Sequence, residues 1–146
     1  MKLQEILTVK GTTVYTTPPE AKLAEVVREM VERNIGSLLV CRRDVTQGEV
    51  PIGILTERDV LRFCAAGRTD LSQVCVADVM TTRLITASPN DSAADLMGVM
   101  TTHRIRHVPI LCEGRLVGMV SIGDLLKASH DHLVIENTFM RDYIQG

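Results

Sequence analysis

The strongest constraint in this sequence is an internal duplication. Residues 14–41 align with residues 84–111 at a constant offset of 70, without a gap. The offset then falls by five, so that residues 53–59 align with residues 118–124, and both copies end in Gly-x-x-Thr/Ser-x-x-Asp. A repeated supersecondary unit cannot bury its apolar face alone and packs against its copy. The sequence therefore predicts two similar halves that share a core.

Each repeat shows the same alternation of strand-like and helix-like segments. Apolar residues at helical spacing, such as Leu23, Val26 and Met30, follow a short strand and precede two β-rich runs and a second helix. The predicted strands are residues 13–16, 37–41 and 51–55 in the first repeat and residues 84–86, 108–111 and 116–120 in the second. The pattern predicts an α/β (α+β) fold in which two strand-helix-strand-strand-helix repeats pack with pseudo-two-fold symmetry.

The duplication also divides the chain. We predict three parts, which are residues 1–68, residues 69–128 and a helical tail at residues 129–146. Within the tail, residues 130–132 are interpreted as a polar linker, and Ile135, Phe139 and Tyr143 form a narrow apolar stripe at helical spacing. This stripe either folds back on the core of its own chain or forms a dimer contact, since aromatic residues are enriched at interfaces.

Composition excludes several functional classes. A net charge of -2 supplies no basic surface for nucleic acid. No apolar run approaches the ~20 residues that span a bilayer, and the first residues do not resemble a signal peptide. The four cysteines form no C-x-x-C pair. We therefore expect a cytoplasmic protein that binds neither nucleic acid nor membrane.

Several motifs together resemble a tandem pair of cystathionine-β-synthase (CBS) domains, a Bateman module. They are the Val76-x-Asp78-Val79-Met80-Thr81 entry, the run at residues 103–110 and the doubled Gly-x-x-Thr/Ser-x-x-Asp signature. The resemblance covers residues 3–128, and no catalytic domain flanks the pair, as in the stand-alone bacterial proteins of this family. It implies a non-catalytic regulatory module that binds an adenosine-containing ligand in the cleft between repeats and signals to a partner.

The doubled signature has two interpretations. Thr56-x-x-Asp59 and Ser121-x-x-Asp124 fit a capping box, in which a hydroxyl and an acid close the free amides at a helix start. The same helix start also suits a phosphate, because its free N–H groups and dipole attract anions. An acid beside it would then accept hydrogen bonds from ribose hydroxyls. The resemblance favours binding at both copies.

The resemblance assigns further positions. Thr16 and Thr86 match residues at the adenine edge, and Arg106 and His107 match residues that face phosphate. The complete predicted set is Thr16, Ile35, Thr56, Arg58, Asp59, Thr86, Arg106, His107, Val108, Pro109, Ser121, Gly123 and Asp124. The phosphate-facing positions differ between the copies, since Arg58 in the first stands where Gly123 stands in the second.

The resemblance also implies partners. The expected ligand is AMP, ADP, ATP or NAD, with S-adenosylmethionine less favoured, and no metal is required. His103 and His107 have a spacing that suits zinc on a helix, but no third ligand follows. A homodimer and an unidentified protein effector are expected. The alternative is a structural dimerisation scaffold whose signatures are only helix caps.

Overall fold

The computed structural model describes the backbone of residues 1–145, and all of their side chains apart from those of Phe139 and residues 142–145. The first half contains α1 (Leu3–Lys10), β1 (Thr16–Thr17), α2 (Leu23–Arg33), β2 (Ser37–Asp44), β3 (Gly48–Thr56) and α3 (Glu57–Ala65). The second half contains two 3-10 turns (Leu71–Gln73 and Val76–Asp78), α4 (Ala93–His103), β4 (His107–Cys112), β5 (Arg115–Ser121) and α5 (Ile122–Gln145).

The predicted fold class is confirmed, and the repeat extends to the details of the helix ends. β2 pairs antiparallel with β3, and β4 pairs antiparallel with β5. α2 and α4 stand 70 residues apart, and each is followed by a left-handed residue, Asn34 (φ 54°) or Arg104 (φ 55°). Such a residue lets the next amide bond back to the helix. Ile35 and Ile105 accordingly donate to the carbonyls of Met30 and Met100 at 3.0 Å.

The first strand of each repeat is shorter and later than predicted. β1 holds only Thr16 and Thr17, which pair parallel with β2, and the second repeat has a single bridge between Ala87 and Ile110. Pro18 follows Thr17 directly and has no N–H to continue a ladder, so β1 ends there. The predicted bounds of the first strands, residues 13–16 and 84–86, were therefore wrong. Residues 13–15 lie before β1 and line a cavity instead.

Each half is completed by the segment that leads into the other half. α1 precedes the first repeat in the chain, yet Leu3, Ile6 and Leu7 are buried with Leu96 and Met100 of the second. Conversely, Val74 and Val76 are buried in the core of the first repeat. Backbone bonds repeat the exchange: the amide of Ala93 donates to Met1 O at 2.9 Å, and that of Leu23 donates to Val74 O at 2.8 Å. The two cores are thereby tied together.

The halves also meet through a small apolar cluster between their sheets. Leu39, Cys41 and Ile54 are buried there, with Leu116 and Met119 packed against them. Burial, together with the charge of Glu49, raises the pKa of the Cys41 thiol to about 12. Cys41 is thus a core residue, as expected for a cysteine in an apolar strand, whereas Cys112 at the end of β4 is exposed.

The glycine of each signature is explained by the exchanged segments. Gly53 lies against Met80, and Gly118 lies against Leu7. A Cβ at Gly118 would stand 2.7 Å from Leu7 Cδ2, closer than two carbon atoms approach. Leu7 is only 6% exposed and has little room to move. The missing side chain therefore lets the lead-in segment pack directly on the strand.

α5 corrects the interpretation of the tail. Residues 130–132, predicted to form a polar linker, lie inside this continuous 24-residue helix. Ile135 is 55% exposed, and all described side chains at residues 129–138 are exposed, so this stretch does not fold back on the core. The other two positions of the predicted stripe, Phe139 and Tyr143, lie outside the described side chains. None of the described helices is long and apolar enough to cross a bilayer.

Substitution of Gly118 tests this packing. Gly118→Ala should lower the free energy of unfolding by about 1–3 kcal/mol, because the added methyl group overpacks the site against Leu7. Gly98→Ala is the matched control, since nothing lies within 4 Å of a Cβ there and the residue is inside α4. Alanine at that helical position should stabilise the protein by roughly 0.5–1 kcal/mol. Urea unfolding curves measure both, and equal effects of the two variants would contradict the close approach.

Candidate functional site

A cavity of about 350 Å³ lies where the two repeats meet. One wall is built from the segment before β1 and the turn before β2, both in the first repeat, and the other from the ends of β4 and β5 in the second. The lining residues are Lys10, Thr13, Val14, Tyr15, Asn34, Ile35, Gly36, Ser37, His107, Met119 and Ser121. The cavity therefore exists only because both repeats contribute to it.

The second signature forms a capping box beside this cavity. The Ser121 amide donates to Asp124 Oδ2 at 2.8 Å, and the Asp124 amide donates to Ser121 Oγ at 3.0 Å. Lys10 Nζ also donates to Asp124 Oδ2, at 2.5 Å. Burial, the largest effect, raises the pKa of the Asp124 carboxyl, but hydrogen bonds from Lys10 and Ser121 together lower it below the ordinary value. The side chain of this ionised acid remains a quarter exposed.

The first signature forms the same box in a closed environment. Asp59 Oδ2 accepts hydrogen bonds from the Thr56 amide at 3.0 Å and from the Thr56 hydroxyl at 3.1 Å, and the Asp59 amide donates to Thr56 Oγ1. Its other oxygen, Oδ1, accepts from the Thr81 hydroxyl at 2.9 Å. Asp59 is only 6% exposed. Both oxygens of the Asp59 carboxylate are therefore hydrogen-bonded to protein groups and little exposed, whereas the Asp124 side chain is a quarter exposed.

The difference arises from the two lead-in segments. After the 3-10 turn at Val76–Asp78 the chain extends, and Thr81 pairs with Ile54 of β3 through two backbone bonds of 2.9 Å. This extra pairing covers Asp59. In the other half, α1 remains helical as far as Lys10, and the Lys10 ammonium donates to Met119 O at 2.6 Å instead. The Lys10 side chain thus takes the place that the extended chain at Thr81 has in the first half, and the Asp124 carboxylate stays accessible.

His107 adds a titratable group to the cavity. Burial is the main reason that the pKa of its imidazole lies below the ordinary value of 6.5, and the charges of Lys10 and Arg106 lower it further. Asp124 and Glu57 act in the opposite direction but do not outweigh these effects. His107 is consequently neutral near pH 7, when it can both donate and accept a hydrogen bond.

The predicted site residues divide into three groups in space. Ile35, His107 and Ser121 line the cavity, and Gly123 and Asp124 lie in the first turn of α5 directly after Ser121. The remaining eight do not line it, and they are Thr16, Thr56, Arg58, Asp59, Thr86, Arg106, Val108 and Pro109. Of these eight, Val108 and Pro109 are buried within β4, while Thr86, Arg58 and Arg106 are exposed. The Thr16 hydroxyl donates to Glu49 Oε1 at 3.0 Å rather than toward the cleft.

Sequence reasoning missed eight of the eleven lining residues, and Lys10, Tyr15 and Asn34 are the most informative of them. Arg33 stacks on the Tyr15 ring, 4.1 Å from its centroid, which holds the ring at the cavity wall. One signal could have identified Lys10. The two lead-in segments match at an offset of 73, and extending that match places Lys10 opposite Arg83, so both lead-ins end on a basic residue.

Elsewhere in the described part of the chain, the features expected of a binding site for a charged ligand are fewer. A more open cavity of about 410 Å³ lies beside α1 and the Ser88-Pro89-Asn90 turn, and no charged side chain lines it. No group of three or more potential metal ligands occurs among the described residues. The cavity beside Asp124 is therefore the one that combines a charged pair, a titratable imidazole and apolar walls.

The fold and the cleft define a tandem α/β repeat protein with a small-molecule cavity at the repeat interface. The chain belongs to the CBS domain family, whose pattern it matches at residues 8–66 and 76–131. CBS-domain pairs are generally regulatory rather than catalytic.

Individual relatives support this assignment. The chain is 39% identical over 126 residues to the mitochondrial CBS domain-containing protein CBSX3 of Arabidopsis thaliana, a match that covers 84% of this chain and 59% of that protein. The chain thus spans less than two thirds of that relative. The crystal structure of the CBS-domain containing protein ATU1752 from Agrobacterium tumefaciens is similar with a TM-score of 0.80 at 33% identity, over 88% of this chain and 99% of that one.

A further relative was solved with a ligand. The CBS domain protein PAE2072 from Pyrobaculum aerophilum, complexed with AMP, is similar with a TM-score of 0.73 at 28% identity. The similarity covers 85% of this chain and 89% of that one.

The closed first box can be tested through its covering residue. Thr81→Val should lower the free energy of unfolding by about 1–3 kcal/mol, because it leaves a buried carboxylate oxygen of Asp59 without its partner. Thr82→Val is the control, because Thr82 is exposed as Thr81 is but is not the donor to Asp59, and it should change stability by less than about 0.5 kcal/mol. Denaturant titration distinguishes the two. If Thr81→Val is as mild as its control, the Asp59 carboxylate is not held as described.

The lowered pKa of His107 predicts a pH dependence. As pH falls below about 6.5, the unfolded chain binds a proton that the folded protein resists, so stability is lost until pH passes the folded pKa. His107→Gln should therefore reduce the loss of unfolding free energy between about pH 7.5 and about pH 5.5. His130→Gln, at an exposed position in α5, should retain the full loss. Parallel curves for His107→Gln and the wild type would contradict the pKa direction.

Proposed function

We propose that this protein is a regulatory module that binds an adenine nucleotide in the cleft at the repeat interface. The observation that carries the proposal is the ionised Asp124 carboxylate, which its capping box with the lining residue Ser121 holds beside that cavity and which is only partly covered. A fixed carboxylate accepts hydrogen bonds from the two hydroxyls of a ribose, as an acid does in dinucleotide folds. The AMP complex of the Pyrobaculum relative supports this ligand class.

The cavity walls suit the other parts of such a ligand. Val14, Tyr15 and Ile35 supply apolar and aromatic surface for a base on the first-repeat side. On the second-repeat side, α5 begins directly after Ser121, and a helix start attracts phosphate. Gly123 has no side chain to block approach there. A ligand oriented in this way would contact both repeats at once.

The ligand class follows from volume and charge. A cavity of about 350 Å³ lies near the lower end of small-molecule sites, which favours a compact ligand such as AMP over a dinucleotide. ADP, ATP and NAD remain in the proposed set, with their additional phosphates or second nucleoside extending out of the cleft. S-adenosylmethionine fits less well, because its sulfonium would meet the positive charge of Lys10 in the cavity. The proposal requires no metal.

One site is proposed rather than two. Around Asp59 the carboxylate oxygens are already hydrogen-bonded to Thr56 and Thr81, and a ribose would have to displace them. Thr56 and Asp59 are therefore assigned to the cap of α3, and Arg58 is an exposed residue in the first turn of that helix. The site around Ser121 and Asp124 is the one that we expect to be filled.

Signalling is proposed to pass through a homodimer to a protein effector. Leu61 and Leu126 occupy equivalent positions in α3 and α5 and are 69% and 58% exposed. Symmetric apolar positions of this kind suit a two-fold contact between copies. A ligand that binds one arrangement of the two repeats better than another shifts the population toward it, and a partner can recognise the result.

A structural scaffold is the second candidate function. The closed Thr56–Asp59 box favours it, because that copy of the signature is fully explained as a helix cap. The scaffold hypothesis predicts a homodimer whose mass and stability do not respond to nucleotides.

Calorimetric titration tests the proposed ligand. AMP should bind the wild type, and Asp124→Asn should weaken binding by about 10- to 100-fold, since it removes a charged acceptor from the ribose. Asp59→Asn is the matched control, which should lower stability but change AMP affinity by less than about 3-fold. A thermal-shift series with AMP, ATP, NAD and S-adenosylmethionine ranks the ligands.

Two results would contradict the proposal. If no member of that series binds or stabilises the protein, the scaffold is the better interpretation. If AMP binds but Asp59→Asn weakens it more than Asp124→Asn does, the ligand occupies the first site instead.

A further inference from the structure

We infer that Lys10 sets the preference of this cleft for a nucleotide over the corresponding nucleoside, by supplying the positive charge that a phosphate meets beside Asp124. The inference rests on the proposed function. It concerns a residue that lies outside both repeated signatures, at the end of the segment exchanged between the halves.

The hydrogen bonds of Lys10 leave it one donor for a ligand. Its ammonium donates to Met119 O at 2.6 Å and to Asp124 Oδ2 at 2.5 Å. An ammonium carries three donors, so two are used to fix its position and the third is available. The Lys10 side chain lines the cavity and is 33% exposed. It is therefore both anchored and accessible.

The charge of Lys10 also removes an obstacle to phosphate binding. An unneutralised Asp124 carboxylate would repel a phosphate placed at the start of α5, since like charges at a few ångströms oppose each other. The ion pair with Lys10 cancels that charge while the carboxylate keeps its capacity to accept hydrogen bonds. The charges of Lys10 and Asp124 both act on His107, so these three side chains lie close together. A ribose and a phosphate can thus be bound side by side.

The backbone holds Lys10 in this position. It is the last residue of α1, and that helix is anchored by Leu3, Ile6 and Leu7 in the core of the second half. Gly11 follows with a positive φ of 98°, which lets the chain turn toward the cavity wall at residues 13–15. The ammonium is therefore placed by the fold rather than by a flexible terminus.

The duplication supplies a matched control residue. Arg83 stands at the position equivalent to Lys10 after the second lead-in segment, but it is exposed and does not line the cavity. In that half the Thr81 hydroxyl, and not a cation, contacts the acid. Any effect that depends on the cleft should therefore appear at Lys10 and be absent at Arg83.

The experiment compares AMP with adenosine on the full chain by calorimetry. Lys10→Met should weaken AMP binding by about 10-fold or more, the usual effect of losing a charge-assisted hydrogen bond. Adenosine affinity should change by less than about 3-fold, because adenosine carries no phosphate for the Lys10 ammonium to contact. Lys10→Arg should retain most of the preference for AMP, and Arg83→Met should leave both affinities unchanged.

The outcomes separate this inference from the proposed function. If the wild type binds neither AMP nor adenosine, the proposed function fails and this inference fails with it. If the wild type binds AMP but Lys10→Met changes both affinities by the same factor, or changes neither, only the inference is overturned. A melting curve for each variant shows whether it is folded, and Lys10→Gln, which also removes the charge, takes the place of Lys10→Met if that variant is not folded.

Discussion

The exchange of lead-in segments is the interaction on which the rest of the structure depends. Each repeat alone lacks one layer of its core, and the missing layer is supplied by α1 or by the segment around Val76 from the other half. Because these contacts cross between the repeats, neither half buries its apolar surface without the other. The signature glycines follow from the same constraint, since Gly118 has to admit Leu7. The cleft at the repeat interface is a consequence of this arrangement.

The two copies of one motif differ in what covers their carboxylates. Both boxes have the same hydrogen bonds between hydroxyl, acid and amide. Thr81 donates to the second oxygen of Asp59, which is almost fully buried, whereas Lys10 pairs with Asp124 and leaves it partly exposed. A helix cap and a ligand site are therefore not exclusive interpretations of this motif. The covering residue determines how accessible each carboxylate is, and this difference underlies the proposal that a ribose binds at Asp124 and not at Asp59.

Much of the fold could be predicted from the sequence, because it depends on local patterns. The apolar spacing in α2 and α4, the hairpins and the family assignment follow from residues close together in the chain. The first strands were less predictable, since a two-residue parallel strand is defined by its partner β2 and not by its own residues. Residues 130–132 were misassigned because they are polar and precede the apolar stripe, and α5 continues through them without packing on the core.

By itself, the sequence determined that the chain is a duplicated α/β repeat protein with two acids at helix starts. Spacing and residue type are sufficient for that, since they encode periodicity and capping chemistry. Only the tertiary structure decided which acid is open and that Lys10 contacts it, because residues 10 and 124 are 114 apart in the chain. Such a contact depends on how the exchanged segments pack, and a local sequence pattern carries no information about contacts between residues so far apart in the chain.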